Sequence, residues 1–106
     1  PEQVRFLPVT DRAADYCADL SRQLNDMGFR SEVDYRNEKI GRKIRDNELK
    51  RIPYLLIVGE KEEAEELVSV RAQGEGDKGQ MTMEAFRDFL SGLVKQEVEA
   101  NRLKKE

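Results

Sequence analysis

Residues 34–58 read DYRNEKIGRKIRDNELKRIPYLLIV, a polar turn that leads into a short basic helix and then into an apolar run. Asn37 is a predicted helix N-cap, because its side-chain oxygen can accept a hydrogen bond from an unpaired backbone N–H of the first turn. Pro53 disfavours helical backbone at the residue before it, so we expect the helix to end by about Arg51. Tyr54–Val58 is then predicted to be a central strand buried on both faces.

This stretch concentrates positive charge in a chain that is acidic overall. Residues 35–51 carry a net charge of +4, from seven basic and three acidic side chains, whereas the whole chain of 106 residues carries −3. The remaining residues therefore carry −7. Such segregation indicates an anionic partner, although a solvated charged face explains the charge pattern equally well when it is taken alone.

The residues before this stretch predict a strand, a helix and a second strand. Val4–Val9 is the expected first strand, and Thr10-Asp11 forms a cap for the helix that follows. Gly28 occupies the position of a left-handed C-terminal cap, and residues 29–35 are the expected second strand. Helical spacing places five apolar residues on one face of the helix: Ala13, Cys17, Leu20, Leu24 and Met27.

The residues after this stretch predict a more compact arrangement. Residues 60–66 hold five glutamates and form an acidic turn or short helix, which leaves too little chain for a long crossover before the strand predicted at Leu67–Arg71. That strand is therefore expected to run antiparallel to the third. Gly74–Gly79 is a predicted link, and Thr82 a predicted N-cap. The final helix carries an apolar stripe formed by Phe86, Leu90, Leu93, Val94 and Val98.

Composition argues against catalysis. The chain has no histidine, which removes the commonest general base and metal ligand, and its single cysteine, Cys17, lies on the apolar face of a predicted helix. Gly74–Gly79 fits a GxGxxG pattern, but no second parallel strand follows to complete a dinucleotide site, so a loop or hairpin is the better interpretation. No apolar segment is long enough to span a bilayer. We predict no catalytic residue, no metal site and a cytoplasmic setting.

The quoted stretch, from Asp34 through Gly59, closely resembles the C-terminal anticodon-binding domain of threonyl-tRNA synthetase, a class II aminoacyl-tRNA synthetase. Val68-Ser69-Val70-Arg71 falls where that family has its arginine-bearing strand, and the loop Asp77-Lys78-Gly79 and the opening Val9-Thr10-Asp11 also fit. The resemblance covers nearly all of residues 1–106, which are expected to be one domain excised from a longer synthetase. It implies a three-layer α/β fold with a mixed five-stranded sheet flanked by three main helices.

The resemblance also implies the function and the site. The domain is expected to bind the anticodon loop of threonine tRNA, through base contacts from Asn37, Glu62 and Arg71. Phosphate contact or support of the site is expected from Lys39, Lys43, Arg36 and Asp11. Arg71 shares one face of its strand with Leu67 and Ser69, and a half-buried arginine there needs a carboxylate or a planar ligand to satisfy its donors. The simpler alternative is an ion pair with a glutamate of residues 60–66.

The parent protein implied by the resemblance is a threonine-tRNA ligase that acts as a homodimer. Its ATP, magnesium and zinc belong to a separate catalytic domain of the same chain, and no cofactor is expected in residues 1–106. Two alternatives remain open. One is the corresponding domain of a prolyl, histidyl or glycyl synthetase, or of an accessory subunit, and the other is a protein-interaction module that binds no RNA.

Overall fold

The computed structural model of the protein describes residues 2–104, without the side chains of residue 94 and residues 97–104. Within this part of the chain the sheet consists of β1 (Val4–Pro8), β2 (Ser31–Val33), β3 (Tyr54–Val58), β4 (Leu67–Ala72) and β5 (Gly76–Thr82). The strand order is β2-β1-β3-β4-β5. Strand β1 is parallel to β2 and β3, whereas β4 is antiparallel to β3 and β5.

The helices are α1 (Asp11–Asp26), α2 (Ile40–Leu49), α3 (Glu60–Glu65) and α4 (Met83–Lys104). Three of them are long, and α3 is the short helix predicted for the acidic segment. The predicted α/β fold, with a mixed five-stranded sheet flanked by three main helices, is therefore confirmed. No helix, within the part of the chain that the structure describes, has the length and apolarity needed to cross a bilayer.

One face of the sheet holds the larger core, with α1 and α4 packed against it. Helix α1 begins where Thr10 Oγ1 accepts a hydrogen bond from the Ala13 backbone N–H at 3.4 Å, as predicted for a capping threonine. Thr82 caps α4 in the same way, through the Ala85 N–H at 3.1 Å. The buried residues of this core are Val4, Phe6, Ala13, Cys17, Leu20, Leu24, Leu56, Val58, Val68, Val70, Met83, Phe86 and Leu90.

Two residues of the predicted α4 stripe lie in this core. Phe86 and Leu90 are buried and Leu93 is half-buried. The side chains of Val94 and Val98 lie outside the described residues. On the α1 side, Met27 is half exposed because the helix ends at Asp26, so its place in the predicted stripe was wrong.

The opposite face of the sheet is only partly covered by α2. Leu7, Ile52 and Leu55 form a smaller core there, with Ile40, Ile44 and Ile57 packed against it. Side chains alternate along β4, so Val68 and Val70 face the larger core whereas Ser69 and Arg71 face the α2 side. Ser69 and Arg71 are half-buried, and Gln80, the partner of Ser69 in β5, is exposed. The surface of β4 and β5 on the α2 side, which includes Ser69, Arg71 and Gln80, is called the open face.

Strand β5 begins within the predicted link Gly74–Gly79, for which the sequence left a loop or a hairpin open. Glycine, aspartate and lysine are poor strand formers, so the local sequence gives no strand signal, and backbone pairing with β4 decides the conformation. Gly74 turns the chain with a φ of +78°, a conformation that favours glycine. The register shifts between Val70 and Arg71, which leaves one extra residue in β5 opposite the end of β4.

The segment before α2 also differs from the prediction. The N-cap is Lys39 and not Asn37, and it makes no side-chain capping bond. Residues 35–38 stay out of the helix because the backbone N–H of Arg36 donates to Asp34 Oδ1 at 3.1 Å. The helix ends at Leu49, in agreement with the predicted end by about Arg51, which has a φ of +59°.

Two predicted strands were too long. Strand β1 ends at Pro8 instead of Val9. Strand β2 covers only three of residues 29–35, since the Phe29 N–H still donates to Leu24 O at the end of α1 and the Asp34 side chain forms a turn.

Candidate functional site

Three of the predicted site residues follow the carboxyl ends of the parallel strands. Asp11 comes after β1, Asn37 after β2 and Glu62 after β3, and these strand ends meet at one edge of the sheet. This edge is where open α/β sheets commonly bind ligands. Asp11 is exposed in the first turn of α1, and Asn37 is exposed in the loop formed by residues 34–39.

The loop of residues 34–39 is anchored by a buried carboxylate. The Asp34 side chain is only 5% exposed, and both of its oxygens accept hydrogen bonds from the Arg36 guanidinium, at 2.9 Å from Nε and 2.9 Å from Nη2. Asn47 of α2, which is completely buried, donates to Asp34 Oδ2 at 3.0 Å. Asn47 Oδ1 in turn accepts from Arg5 Nη1 at 2.8 Å. These contacts fix the loop to both α2 and β1.

This network also sets the charge state of its carboxylate. Burial alone would raise the pKa of Asp34, but hydrogen bonds from Arg36 and Asn47, together with the positive charge of Arg36, hold that pKa well below its usual range. Asp34 is therefore ionised at neutral pH. Arg36 also contacts Asp46 Oδ2 at 2.9 Å, so its charge is neutralised within the protein. Arg36 thus supports the loop.

Lys43 is part of the same interior. It is 4% exposed, and its Nζ donates to Pro8 O at 3.0 Å and Asp34 O at 3.2 Å. Of the two predicted roles, phosphate contact and support of the site, only support fits this position. Lys39 is exposed and forms no ion pair with any described residue. Its ammonium group is therefore available to a ligand.

The sequence carries a signal for this network in the spacing of the α2 residues. Ile40, Lys43, Ile44 and Asn47 are spaced i, i+3, i+4 and i+7, which places them on one stripe of a helix. Two apolar residues on that stripe indicate that it faces the sheet. The same stripe therefore carries Lys43 and Asn47 inward, where they need polar partners.

Glu62 lies in the first turn of α3, at the end of β3. Its Oε1 accepts a hydrogen bond from the Gly59 backbone N–H at 2.8 Å, which caps the helix. Its Oε2 accepts from Gln80 Nε2 at 3.1 Å. Because Gln80 lies opposite Ser69, this contact joins the carboxyl edge to the open face. Gln80 was not predicted from the sequence, since no strand was expected between the link Gly74–Gly79 and Thr82.

Arg71 lies on the open face, near the other end of β3. Its Nη2 is 3.8 Å from Glu48 Oε1 of α2, and the two side chains are 30% and 49% exposed. The alternative of an ion pair with a glutamate of residues 60–66 is not found in the described part of the chain, because Arg71 pairs with Leu55 in the sheet and so lies beside the last turn of α2. Its Nε is buried and has no hydrogen-bond partner among the described residues.

The three predicted base-contacting residues do not touch one another. No hydrogen bond or ion pair among the described residues joins any two of Asn37, Glu62 and Arg71. Asn37 precedes the first turn of α2, whereas Arg71 contacts Glu48 near its end. The site is thus a surface that runs along α2 and not a closed pocket.

The one cysteine of the chain is buried, and the described residues contain no cluster that could hold a metal ion. Burial raises the pKa of the Cys17 thiol to about 12, so this cysteine is a core residue, as predicted, and not a nucleophile. No three cysteine, aspartate or glutamate side chains in the described part of the chain lie close enough together to hold a metal ion. What the surface offers is hydrogen-bond donors, acceptors and exposed cations.

The fold and this surface identify the class of protein. Residues 3–93 match the family model described as "Anticodon binding domain", so the chain belongs to the anticodon binding domain family. Within that family its relatives confirm the resemblance to threonyl-tRNA synthetase predicted from residues 34–59, in preference to the prolyl, histidyl and glycyl enzymes.

The chain is 56% identical over 96 residues to a threonine--tRNA ligase of Parabacteroides distasonis, a match that covers 91% of this chain and 15% of that protein. It is 53% identical over 102 residues to the threonine--tRNA ligase of Porphyromonas gingivalis, covering 96% of this chain and 16% of that protein. This chain therefore spans only about a sixth of the curated relatives it matches.

A solved structure gives the same result for the fold. The RNA binding domain of threonyl-tRNA synthetase from Cryptosporidium parvum Iowa II superposes with a TM-score of 0.82 at 26% sequence identity. The match covers 87% of this chain and 23% of that chain.

Proposed function

We propose that this chain binds the anticodon loop of threonine tRNA, and that a separate catalytic domain of the same parent protein performs the aminoacylation. The observation that carries the proposal is Arg71, a half-buried arginine on the open face whose Nε has no partner among the described residues. A buried donor without a partner costs free energy, so its presence favours a ligand that supplies the acceptor.

An anticodon loop suits such a surface. Base edges are poorly accessible in the deep major groove of an A-form stem, whereas loop bases can be unstacked and hydrogen-bonded along their edges. Arg71 can donate in a fork to O6 and N7 of guanine, and Asn37 can both donate to and accept from a base. Glu62 can accept from a base N–H if its contact with Gln80 opens. These capacities fit the guanine and uracil of a threonine anticodon.

The remaining predicted residues have different parts in this proposal. Lys39 is exposed beside Asn37 and is positioned to contact phosphate. Arg36 and Lys43 hold the loop that presents both residues, through Asp34 and the backbone of β1. Asp11 is exposed at the same sheet edge and is assigned to support of the site. A rigid loop lowers the entropic cost of binding, because the site does not have to be ordered by the ligand.

The parent protein in this proposal is a cytoplasmic, homodimeric threonine-tRNA ligase. Its ATP, magnesium and zinc would be held by the catalytic domain, outside residues 1–106. The identity with threonine--tRNA ligases and the short fraction of those proteins that this chain spans support the assignment of the parent to a threonine-tRNA ligase.

The test is a fluorescence titration of the 106-residue chain with a threonine anticodon stem-loop and with loops substituted at single anticodon positions. We expect tighter binding to the cognate loop and a loss of affinity with rising salt. Arg71→Ala should reduce the preference for the cognate loop by roughly 5- to 150-fold, the range given by a bidentate base contact. A chain that binds none of the loops would favour a protein-interaction module instead.

Stability measurements separate recognition from support. The contact between Arg71 and Glu48 is long and partly exposed, so its loss should change the free energy of unfolding by only about 0–1 kcal/mol. Arg87→Ala is a matched control, because Arg87 lies on α4 and contacts Gln23, away from the open face. If Arg71→Ala lowers stability strongly and leaves the cognate preference intact, Arg71 is a structural residue.

A further inference from the structure

A groove runs along the side of α2 that borders the open face. Four of its lining residues, Gly41, Ile44, Arg45 and Glu48, are spaced i, i+3, i+4 and i+7 and so form one stripe of the helix. Gln73, just beyond β4, closes the groove on the other side. Glu48 also forms the 3.8 Å ion pair with Arg71, so the groove runs from the beginning of α2 to the partner of Arg71.

Gly41 is a residue that the fold itself does not require. It lies in the first turn of α2, it is exposed, and its φ is not positive, so its backbone conformation does not call for glycine. A Cβ placed on it would meet nothing within 4 Å. Glycine is less favourable in a helix than every residue except proline, so alanine would be the better choice for the protein alone.

The charges along the groove indicate what occupies the space above Gly41. Arg45 is exposed and forms no ion pair with any described residue. Arg71 lies at the far end with its unpartnered Nε, and the carboxylate of Glu48 faces this arginine. Ile44 and the exposed Leu49 are the two apolar side chains that line the groove. A protein helix would need a wider apolar surface at this point, whereas a sugar-phosphate chain needs close access and positive charge.

We propose that the backbone of the bound RNA loop lies in this groove, in contact with the main chain of α2 at Gly41 and with its phosphate against Arg45. This inference rests on the proposed function and extends it, because it assigns a binding role to two residues outside the predicted site. Backbone contacts position the RNA and carry no sequence information. Gly41 and Arg45 therefore affect all loops alike, whereas Arg71 affects the preference among them.

The test compares Gly41→Ala with Gly92→Ala in the 106-residue chain. Gly92 is a second helical glycine, in α4, at which an added Cβ also meets nothing within 4 Å. Both variants should raise the melting temperature, by about 2–6 °C, because alanine favours the helix. Only Gly41→Ala should weaken binding, by roughly 5- to 100-fold for cognate and substituted loops equally, since the added methyl group occupies a packed contact.

Arg45→Ala supplies an independent measurement in case Gly41→Ala disturbs α2. It should lower the slope of log affinity against log salt by about one unit without changing the cognate preference. The inference is overturned if the wild-type chain binds, Gly41→Ala leaves the affinity unchanged and Arg45→Ala leaves the salt slope unchanged. That outcome leaves the proposed function intact. Failure of the wild-type chain to bind any loop overturns both.

Discussion

Asp34→Asn tests whether the buried network holds the candidate site in place. Both oxygens of the Asp34 side chain accept hydrogen bonds. Oδ1 accepts from Arg36, and Oδ2 accepts from both Arg36 and Asn47. An asparagine offers a single acceptor oxygen, so in either orientation its amide N–H₂ faces a donor. The substitution preserves the shape of the side chain and removes its charge, so its effect reports on these contacts.

The size of the effect follows from the burial and from the partners. A hydrogen bond to a charged group contributes about 1.5–3 kcal/mol, and the Arg36 side chain is 42% exposed, so water can replace part of what it loses. We therefore expect Asp34→Asn to lower the free energy of unfolding by roughly 2–4 kcal/mol at pH 7, measured by urea denaturation. The RNA affinity should fall as well, because the loop that presents Asn37 and Lys39 is released.

The pH dependence provides the sharper criterion. Because the folded-state pKa of Asp34 lies below its unfolded value of about 3.9, its contribution to stability is fully present above roughly pH 5. The contribution is lost as the pH falls through the depressed folded-state pKa. The stability difference between wild type and Asp34→Asn should therefore be constant from pH 5 to 7 and shrink on further acidification.

The matched control is Asp19→Asn. Asp19 contacts Arg22 at 3.4 Å, but both side chains are more than 60% exposed, so this substitution should cost about 0–1 kcal/mol. The network does not support the loop if Asp34→Asn lowers the free energy of unfolding no more than Asp19→Asn does. The same conclusion follows if the stability difference between wild type and Asp34→Asn does not shrink at low pH.

The other predictions concern two lysines and the cysteine. Lys39→Ala should weaken binding to all loops alike and lower the slope of log affinity against log salt by about one unit. Lys43→Ala should instead lower the free energy of unfolding by roughly 1–3 kcal/mol, because two carbonyl oxygens lose their donor. A changed salt slope with unchanged stability in Lys43→Ala would contradict its buried position. Cys17 should stay unreactive toward a disulfide reagent at pH 8 until the protein unfolds, because its pKa is about 12 and it is buried; rapid labelling of the native chain would contradict this.

Local patterns were sufficient to predict the main elements of the fold. The apolar spacing of α1, the cap at Thr10 and the apolar run Tyr54–Val58 each act over a few residues, and all three appear in the structure. Proline at position 53 ended α2 as expected because its effect on the preceding residue is steric and local. Strand β5 escaped prediction because its glycines and charged residues become a strand only by pairing with β4.

The site shows the same division between local and long-range causes. The position of Asn37 next to a basic helix follows from the sequence, but the burial of Lys43 depends on carbonyl oxygens of Pro8 and Asp34, and the first of these lies 35 residues away. Arg71 was expected to be half-buried from the alternation of its strand. Its partner Glu48 could not be predicted, because this depends on how α2 lies across the sheet.

Amide chemical shifts of the ¹⁵N-labelled chain, recorded during titration with a threonine anticodon stem-loop, test the central claim most directly. The account predicts that the largest changes follow the loop at Asn37, the α2 residue Gly41 and the strand residue Arg71. A groove on the opposite face, between the β4–β5 hairpin and α4, is lined by Tyr54, Met81 and Phe89 and should not respond. RNA binding along α2 would be contradicted by chemical-shift changes that are confined to that groove. It would also be contradicted if no amide shifts at a stem-loop concentration that saturates the fluorescence titration.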